Sequence, residues 1–176
     1  MTINTINYFS QINIIPNSLV VLDIDETLIK FENIDNLWWN REFTQIYEKN
    51  NDYDLTEEIV YSKWLSIVSN SNPILVDDFI HIFLEKCEQN NCKIILLTAR
   101  NNCLFDLTLS HLKRVNLYFS HIYFNENKGD ELNKIISNEL KKYNDIIVVD
   151  DLVKNLNDIK NKIISVNLHL YNIKIK

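Results

Sequence analysis

Four short apolar runs punctuate the chain: LVVLDI (19–24), KIILLT (93–98), DIIVVD (145–150) and KIISVNL (162–168), with a weaker fifth, HIYFNE, at 121–126. Each is rich in Ile, Val or Leu and too short for a helix, as expected of strands buried on both faces. Between them the apolar spacing changes to three and four residues. Phe79, Ile80, Phe83, Leu84 and Cys87 mark one helix, and Leu104, Leu107, Leu109 and Leu112 a second. Leu132, Ile135, Ile136 and Leu140 mark a third, and Leu156 with Ile159 a short last one. Strands alternating with helices predict right-handed crossovers, hence an α/β fold with a doubly wound, parallel, five-stranded sheet.

One stretch departs from this rhythm. Between residues 31 and 77 a helical pair replaces the single crossover, with Trp39, Phe43, Ile46 and Tyr47 on one stripe and Val60, Trp64, Ile67 and Val68 on another. Asn50-Asn51-Asp52 reads as the turn between them, and 70–73 as the return. The expected organisation is therefore a core of residues 1–30 and 78–176 with a small helical subdomain, 31–77, inserted after the first strand. The insert holds nine acidic side chains (Glu32, Asp35, Glu42, Glu48, Asp52, Asp54, Glu57, Glu58, Asp77) against Arg41, Lys49 and Lys63, which accounts for the whole net charge of −6.

Composition narrows the chemistry. The 176 residues include one glycine, where about 12 would be usual. A Walker A loop and a dinucleotide fingerprint need two and three glycines, so both are excluded. Asn and Ile occur 26 times each, Lys outnumbers Arg 15 to 3, and alanine appears once. That bias fits an AT-rich genome and makes much of the Asn background. No apolar run approaches the roughly 20 residues of a membrane span, and MTINTINYFSQ lacks the layout of a signal peptide. Cys87, Cys92 and Cys103 fit no zinc spacing and are expected to be buried free thiols. The expected setting is cytoplasmic, with no membrane partner. His81, His111, His121 and His169 show no metal-ligand spacing and read as structural or surface residues.

The candidate chemistry collects at strand ends. Asp23 and Asp25 close the first run, at the edge where open α/β sheets bind ligands. Two carboxylates two residues apart can divide nucleophilic or metal-binding work from proton transfer. Thr98 ends the second run in LLTAR, where a hydroxyl can meet an anionic oxygen or cap a helix. Arg100 beside it can bind an anion or pair with an acidic neighbour. Asp150 and Asp151 close a third strand and make a second acidic pair suited to Mg²⁺. Lys128, in NENKGDEL before a helix, is placed to hold phosphate charge. Asn127-Lys128-Gly129-Asp130 also matches a guanine-reading motif, but a GTPase needs the phosphate loop this chain cannot make. Gly129, the lone glycine, is expected to let backbone approach a phosphoryl group or to take a φ closed to other residues.

These four segments, LDIDETL, LLTAR, Lys128 and VVDD, resemble in order the haloacid-dehalogenase-like (HAD) superfamily over roughly residues 19–160. The resemblance implies a HAD-like Rossmannoid core with a helical C1 cap at the insert, and is nearest to the phosphatase branch in a subfamily with no assigned substrate. It implies Asp23 as a nucleophile forming an aspartyl-phosphate and touching Mg²⁺. Asp25 would be the acid/base, its backbone carbonyl on the metal, and Thr98 and Lys128 would hold the phosphoryl oxygens. Asp150 would ligate Mg²⁺, with Asp151 near the metal; which of the pair touches it stays open.

A small phosphorylated substrate is the expectation, since an insert carrying −6 opposes nucleic acid. Trp38 is the aromatic most free to face it, because Trp39 and Trp64 fit the apolar stripes; core packing is the competing role. Three rival readings stand beside it. A protein-serine phosphatase shares the Asp-x-Asp-Glu-Thr-Leu motif but needs an open groove. A phospho-accepting receiver domain carries its acceptor after the third strand and no such insert. A catalytically idle HAD-fold binding module would not need every expected side chain.

Overall fold

The computed structural model describes residues 2–32, 34, 37–138 and 143–174. Asp35 of the acidic segment and Leu140 of the third helical stripe lie outside them. The main sheet has six strands: β1 (Ile3–Ile6), β2 (Leu19–Leu22), β5 (Lys93–Thr98), β6 (Ile122–Phe124), β7 (Asp145–Asp150) and β8 (Asn167–Ile173). Their spatial order is β1-β8-β7-β2-β5-β6, and every pairing is parallel. The sixth strand is β1, whose INTI sequence forms no apolar run because it sits at an edge and pairs with β8 alone. The last strand also differs from expectation. The helix before it runs on to Lys162 and the strand starts only at Asn167, so residues 162–166 are not strand, and Ile164 is 89% exposed.

Side-chain alternation on β2 shows why the central strands are apolar throughout. Val20 and Leu22 face one cluster with Ile80, Phe83 and Cys87 of α3 (Ile80–Gln89) and Leu112 of α4 (Phe105–Arg114). Leu19 and Val21 face the other, with Leu132 and Ile135 of α5 (Lys128–Asn138) and Leu156 and Ile159 of α6 (Val153–Lys162). A side chain on either face of this strand contributes about 1.5–3 kcal/mol of burial, so polar residues are excluded until the strand ends. The ends are where the charges begin.

The insert is a helical pair, α1 (Trp38–Asn50) and α2 (Tyr53–Asn70), flanked by the short antiparallel strands β3 (Ile29–Lys30) and β4 (Ile74–Leu75). Asn51 closes α1 in the left-handed region (φ 53°), and the Asp52 side chain accepts from Leu55 N at 3.1 Å to start α2. Asn17, Asn91 and Asn116 adopt the same left-handed conformation, as does Glu26. In a chain with one glycine, asparagine fills the turns that glycine usually supplies, because its short polar side chain tolerates that region best. Part of the Asn excess therefore has structural use. The three cysteines are free, and Cys103 is exposed rather than buried. Among the described residues, no helix is long and apolar enough to cross a membrane.

Candidate active site at the carboxyl edge of the sheet

Register brings the carboxylates together. Leu22 of β2 lies beside Val149 of β7 and Leu96 of β5, and the Asp23 N–H donates to the Val149 carbonyl at 3.0 Å. One step further, Asp23 and Asp150 stand side by side at the carboxyl edge. Between them, Lys128 from the first turn of α5 donates to Asp23 Oδ1 at 2.6 Å and Asp150 Oδ2 at 2.7 Å. Asp151 completes the cluster: one oxygen each from Asp23, Asp150 and Asp151 lies within 4.8 Å of the others. All four side chains are buried.

Neutral partners hold the acids in place. The Thr27 hydroxyl donates to Asp23 Oδ2 and accepts from the Asp151 N–H, both at 3.1 Å. Asp150 Oδ1 accepts from Leu152 N (2.8 Å) and Asn155 Nδ2 (3.0 Å), and Asn172 Nδ2 donates to the backbone carbonyls of Asp150 and Asp151. Asn155 and Asn172 carried no sequence signal, being two of 26 asparagines. Thr27 had one, as the threonine of Asp-x-Asp-x-Thr.

Three carboxylates facing one ammonium leave two negative charges uncompensated in a buried place. Burial, with help from Asp150, therefore pushes Asp23 up to about 7 against the pull of Lys128. Burial and the charges of Asp23 and Asp150 push Asp151 up to about 8. Burial opposes the charge on Lys128, but the two carboxylates outweigh it and hold the ammonium more firmly protonated than usual. The donor set fits a hard divalent cation such as Mg²⁺: oxygen ligands only, mutually close, and short of two positive charges.

Asp25 lies apart from this cluster. Arg100 grips it through two hydrogen bonds, Nε to Oδ2 and Nη2 to Oδ1, both 2.7 Å. Of the two roles open to Arg100, pairing with an acidic neighbour is the one present. Thr98 ends β5 beside β2, and its hydroxyl accepts from the Arg100 N–H at 3.2 Å instead of capping a helix. A cleft of about 860 Å³ opens over this edge, reaching Arg100 and Asn155 below and α2 above. Trp39 lines it. Trp38, expected to face a ligand, is 9% exposed and packed inward, so the two neighbouring tryptophans exchange the roles read from the stripes.

Gly129 also departs from expectation. Its φ is not positive, and its Cα faces α6 rather than the carboxylates: an added Cβ would stand 2.8 Å from the Asp158 carbonyl oxygen. Its N–H donates to Asp158 Oδ2 at 2.7 Å. Glycine is required there by the close approach of α5 and α6, which in turn seats Lys128. Gly129→Ala is expected to cost about 1–3 kcal/mol through overpacking against backbone, measured as a lowered midpoint in urea unfolding. An unchanged midpoint would show that α6 can yield.

Comparison with known proteins gives the fold a context. A "putative beta-phosphoglucomutase" from Thermotoga maritima superposes with a TM-score of 0.53 at 13% identity, covering 82% of this chain and 81% of that one. A class C acid phosphatase from Bacillus anthracis gives 0.46 at 15% identity, covering 92% of this chain and 68% of its own. The first likeness is one of fold: a parallel α/β sheet with helices packed on it. No curated protein matches the chain. A family model described as "Protein of unknown function (DUF2608)" matches residues 2–125, which include Asp23, Asp25, Thr98 and Arg100 and stop short of Lys128. The match spans well over half the chain, and the chain therefore belongs to that family.

Proposed function

We propose that the protein is a Mg²⁺-dependent phosphomonoester hydrolase that works through an aspartyl-phosphate on Asp23 and acts on a small phosphorylated substrate. The buried Asp23–Lys128–Asp150–Asp151 cluster at the carboxyl edge carries this reading. Asp23, Asp150 and Asp151 would hold the metal, with the Asp25 carbonyl as a further ligand. Mg²⁺ bound there supplies the missing positive charge and lets a phosphate dianion approach the carboxylates.

An ionised Asp23 oxygen attacks phosphorus, and the bond from phosphorus to the substrate oxygen breaks. Asp25 gives its proton to the departing alcohol. It then takes a proton from water, whose oxygen attacks phosphorus, breaks the bond to Asp23 and releases inorganic phosphate. Lys128 and Thr98 share the non-bridging oxygens, where fixed donors stabilise the transferring group. The helical pair acts as the cap over this edge.

The cleft supports a small ester. Asp54, Glu57, Glu58 and Tyr61 follow helical spacing along α2 and line its wall, and carboxylates there disfavour polyanions. A panel of phosphorylated metabolites, p-nitrophenyl phosphate and phosphopeptides, assayed for phosphate release with Mg²⁺, tests the proposal. Small monophosphates are expected to outrank nucleoside triphosphates and phosphopeptides, with excess EDTA abolishing turnover. Preference for phosphopeptides would reverse the choice of substrate in favour of a protein-serine phosphatase. Turnover undiminished by EDTA would remove the metal. No turnover of anything would leave a HAD-fold binding module.

A further inference from the structure

We infer that Arg100 is a positioning residue that fixes the Asp25 carboxyl at the edge of the sheet, clamped from behind by side chains of α4 and α2. The inference rests on the phosphatase reading above and gives Arg100, the last residue of LLTAR, a task separate from that of Thr98.

The guanidinium is committed on every side. Nε and Nη2 fork onto the two oxygens of Asp25 at 2.7 Å each. Nη1 donates to Thr108 Oγ1 at 3.1 Å and to His111 Nδ1 at 3.3 Å, both on α4. Trp64 of α2 covers the guanidinium, its ring centroid 5.8 Å from Cζ. Arginine has no acceptor, so His111 must be neutral to receive that bond; burial and Arg100 itself hold it down at about 4.

Exposure separates the fixed partner from the reacting one. The Arg100 side chain is 1% exposed and that of Asp25 is 31%. A buried, four-way-held cation does not swing. The carboxyl it grips is the solvent-exposed partner of the pair, with its plane set by the fork. Releasing one arm frees one Asp25 oxygen to carry the proton it delivers to a leaving oxygen, while the other arm keeps the carboxyl from wandering. Lysine could supply the charge but not the fork, because an ammonium is a point donor with no planar pair of N–H groups.

The test compares kcat/KM on two Mg²⁺-supported substrates, because kcat/KM ends at release of the alcohol and leaves out water attack. The nitrophenolate of p-nitrophenyl phosphate departs without a proton; the alcohol of the best alkyl monophosphate needs one. Arg100→Gln and Arg100→Lys are expected to lose about 100-fold or more on the alkyl ester and less than about tenfold on the aryl ester. Asp25→Asn should show the same pattern. Thr108→Val, which loosens the clamp without touching Asp25, should show it in weaker form and decides the matter if the Arg100 variants do not fold.

Equal losses on both esters would make Arg100 merely structural and overturn the inference. So would a fully active Arg100→Lys, or a wild type confined to aryl esters. A wild type inactive on both esters would overturn the phosphatase reading itself, and this inference with it.

Discussion

Asp23→Asn is expected to reduce Mg²⁺-dependent phosphate release by roughly a thousandfold or more while leaving the protein folded. The amide keeps the shape of the side chain and a carbonyl oxygen able to accept from Lys128 or from the Thr27 hydroxyl. It lacks the anionic oxygen that attacks phosphorus. Stability should move the other way. The folded-state value of Asp23, about 7, lies above its ordinary 3.8, so the folded protein binds the extra proton across that window. Ionising Asp23 then costs stability as pH rises from about 4 to 7, and the asparagine variant is free of that cost. Unfolding in EDTA at pH 8 should therefore show the variant at least as stable as wild type. Loss of turnover with retained stability marks a reacting group. Loss of both would mark a structural one, and retained turnover would remove Asp23 as nucleophile.

What could be read in the sequence follows from how far each signal depends on tertiary contacts. Asp23 and Asp150 were legible because each interrupts a run buried on both faces, and a parallel sheet puts such interruptions on one edge. Lys128 was legible as a cation at a helix start, though not as the tie between two particular carboxylates. The turn Asn50-Asn51-Asp52 was legible because its chemistry is local: a left-handed residue followed by a capping aspartate. Trp38 and Trp39 were exchanged because adjacent residues on a helix differ by about 100° in direction, and the facing partner decides which is inward. β1 carries no legible signal, because an edge strand does not need an apolar run. Arg100 offered two roles in sequence, and its pairing with Asp25 depends on the fold, which brings α4 and Asp25 to it. Gly129 stands out in the sequence by its rarity alone, and its reason lies 29 residues away on α6.

Lys128→Met carries the largest expected effect on stability. Methionine fills most of the lysine stem in the same buried channel, so the substitution removes charge and two hydrogen bonds more than volume. The carboxylates of Asp23 and Asp150 then face each other, with Asp151 beside them and no ammonium between. Breaking a buried ion pair from one side costs about 3–5 kcal/mol, and that penalty should appear in EDTA at pH 8. Its pH dependence identifies the cause. Without the lysine, the folded-state values of Asp23 and Asp151 rise further above their unfolded ones, so the variant takes up protons on folding and gains stability as pH falls. The deficit against wild type should shrink by pH 5.5, where Asp23 and Asp151 are largely protonated. Wild type should follow the same trend in weaker form, since Asp23 and Asp151 already stand at about 7 and about 8. Mg²⁺ should restore stability to wild type at pH 8 by supplying the charge the three carboxylates lack, with a rise set by its concentration over its dissociation constant. Melting curves at pH 5.5 and pH 8, with EDTA or with Mg²⁺, read all of these at once. A deficit in Lys128→Met that is equal at both pH values would assign the loss to packing. A wild type indifferent to Mg²⁺ at pH 8 would deny the carboxylates their metal.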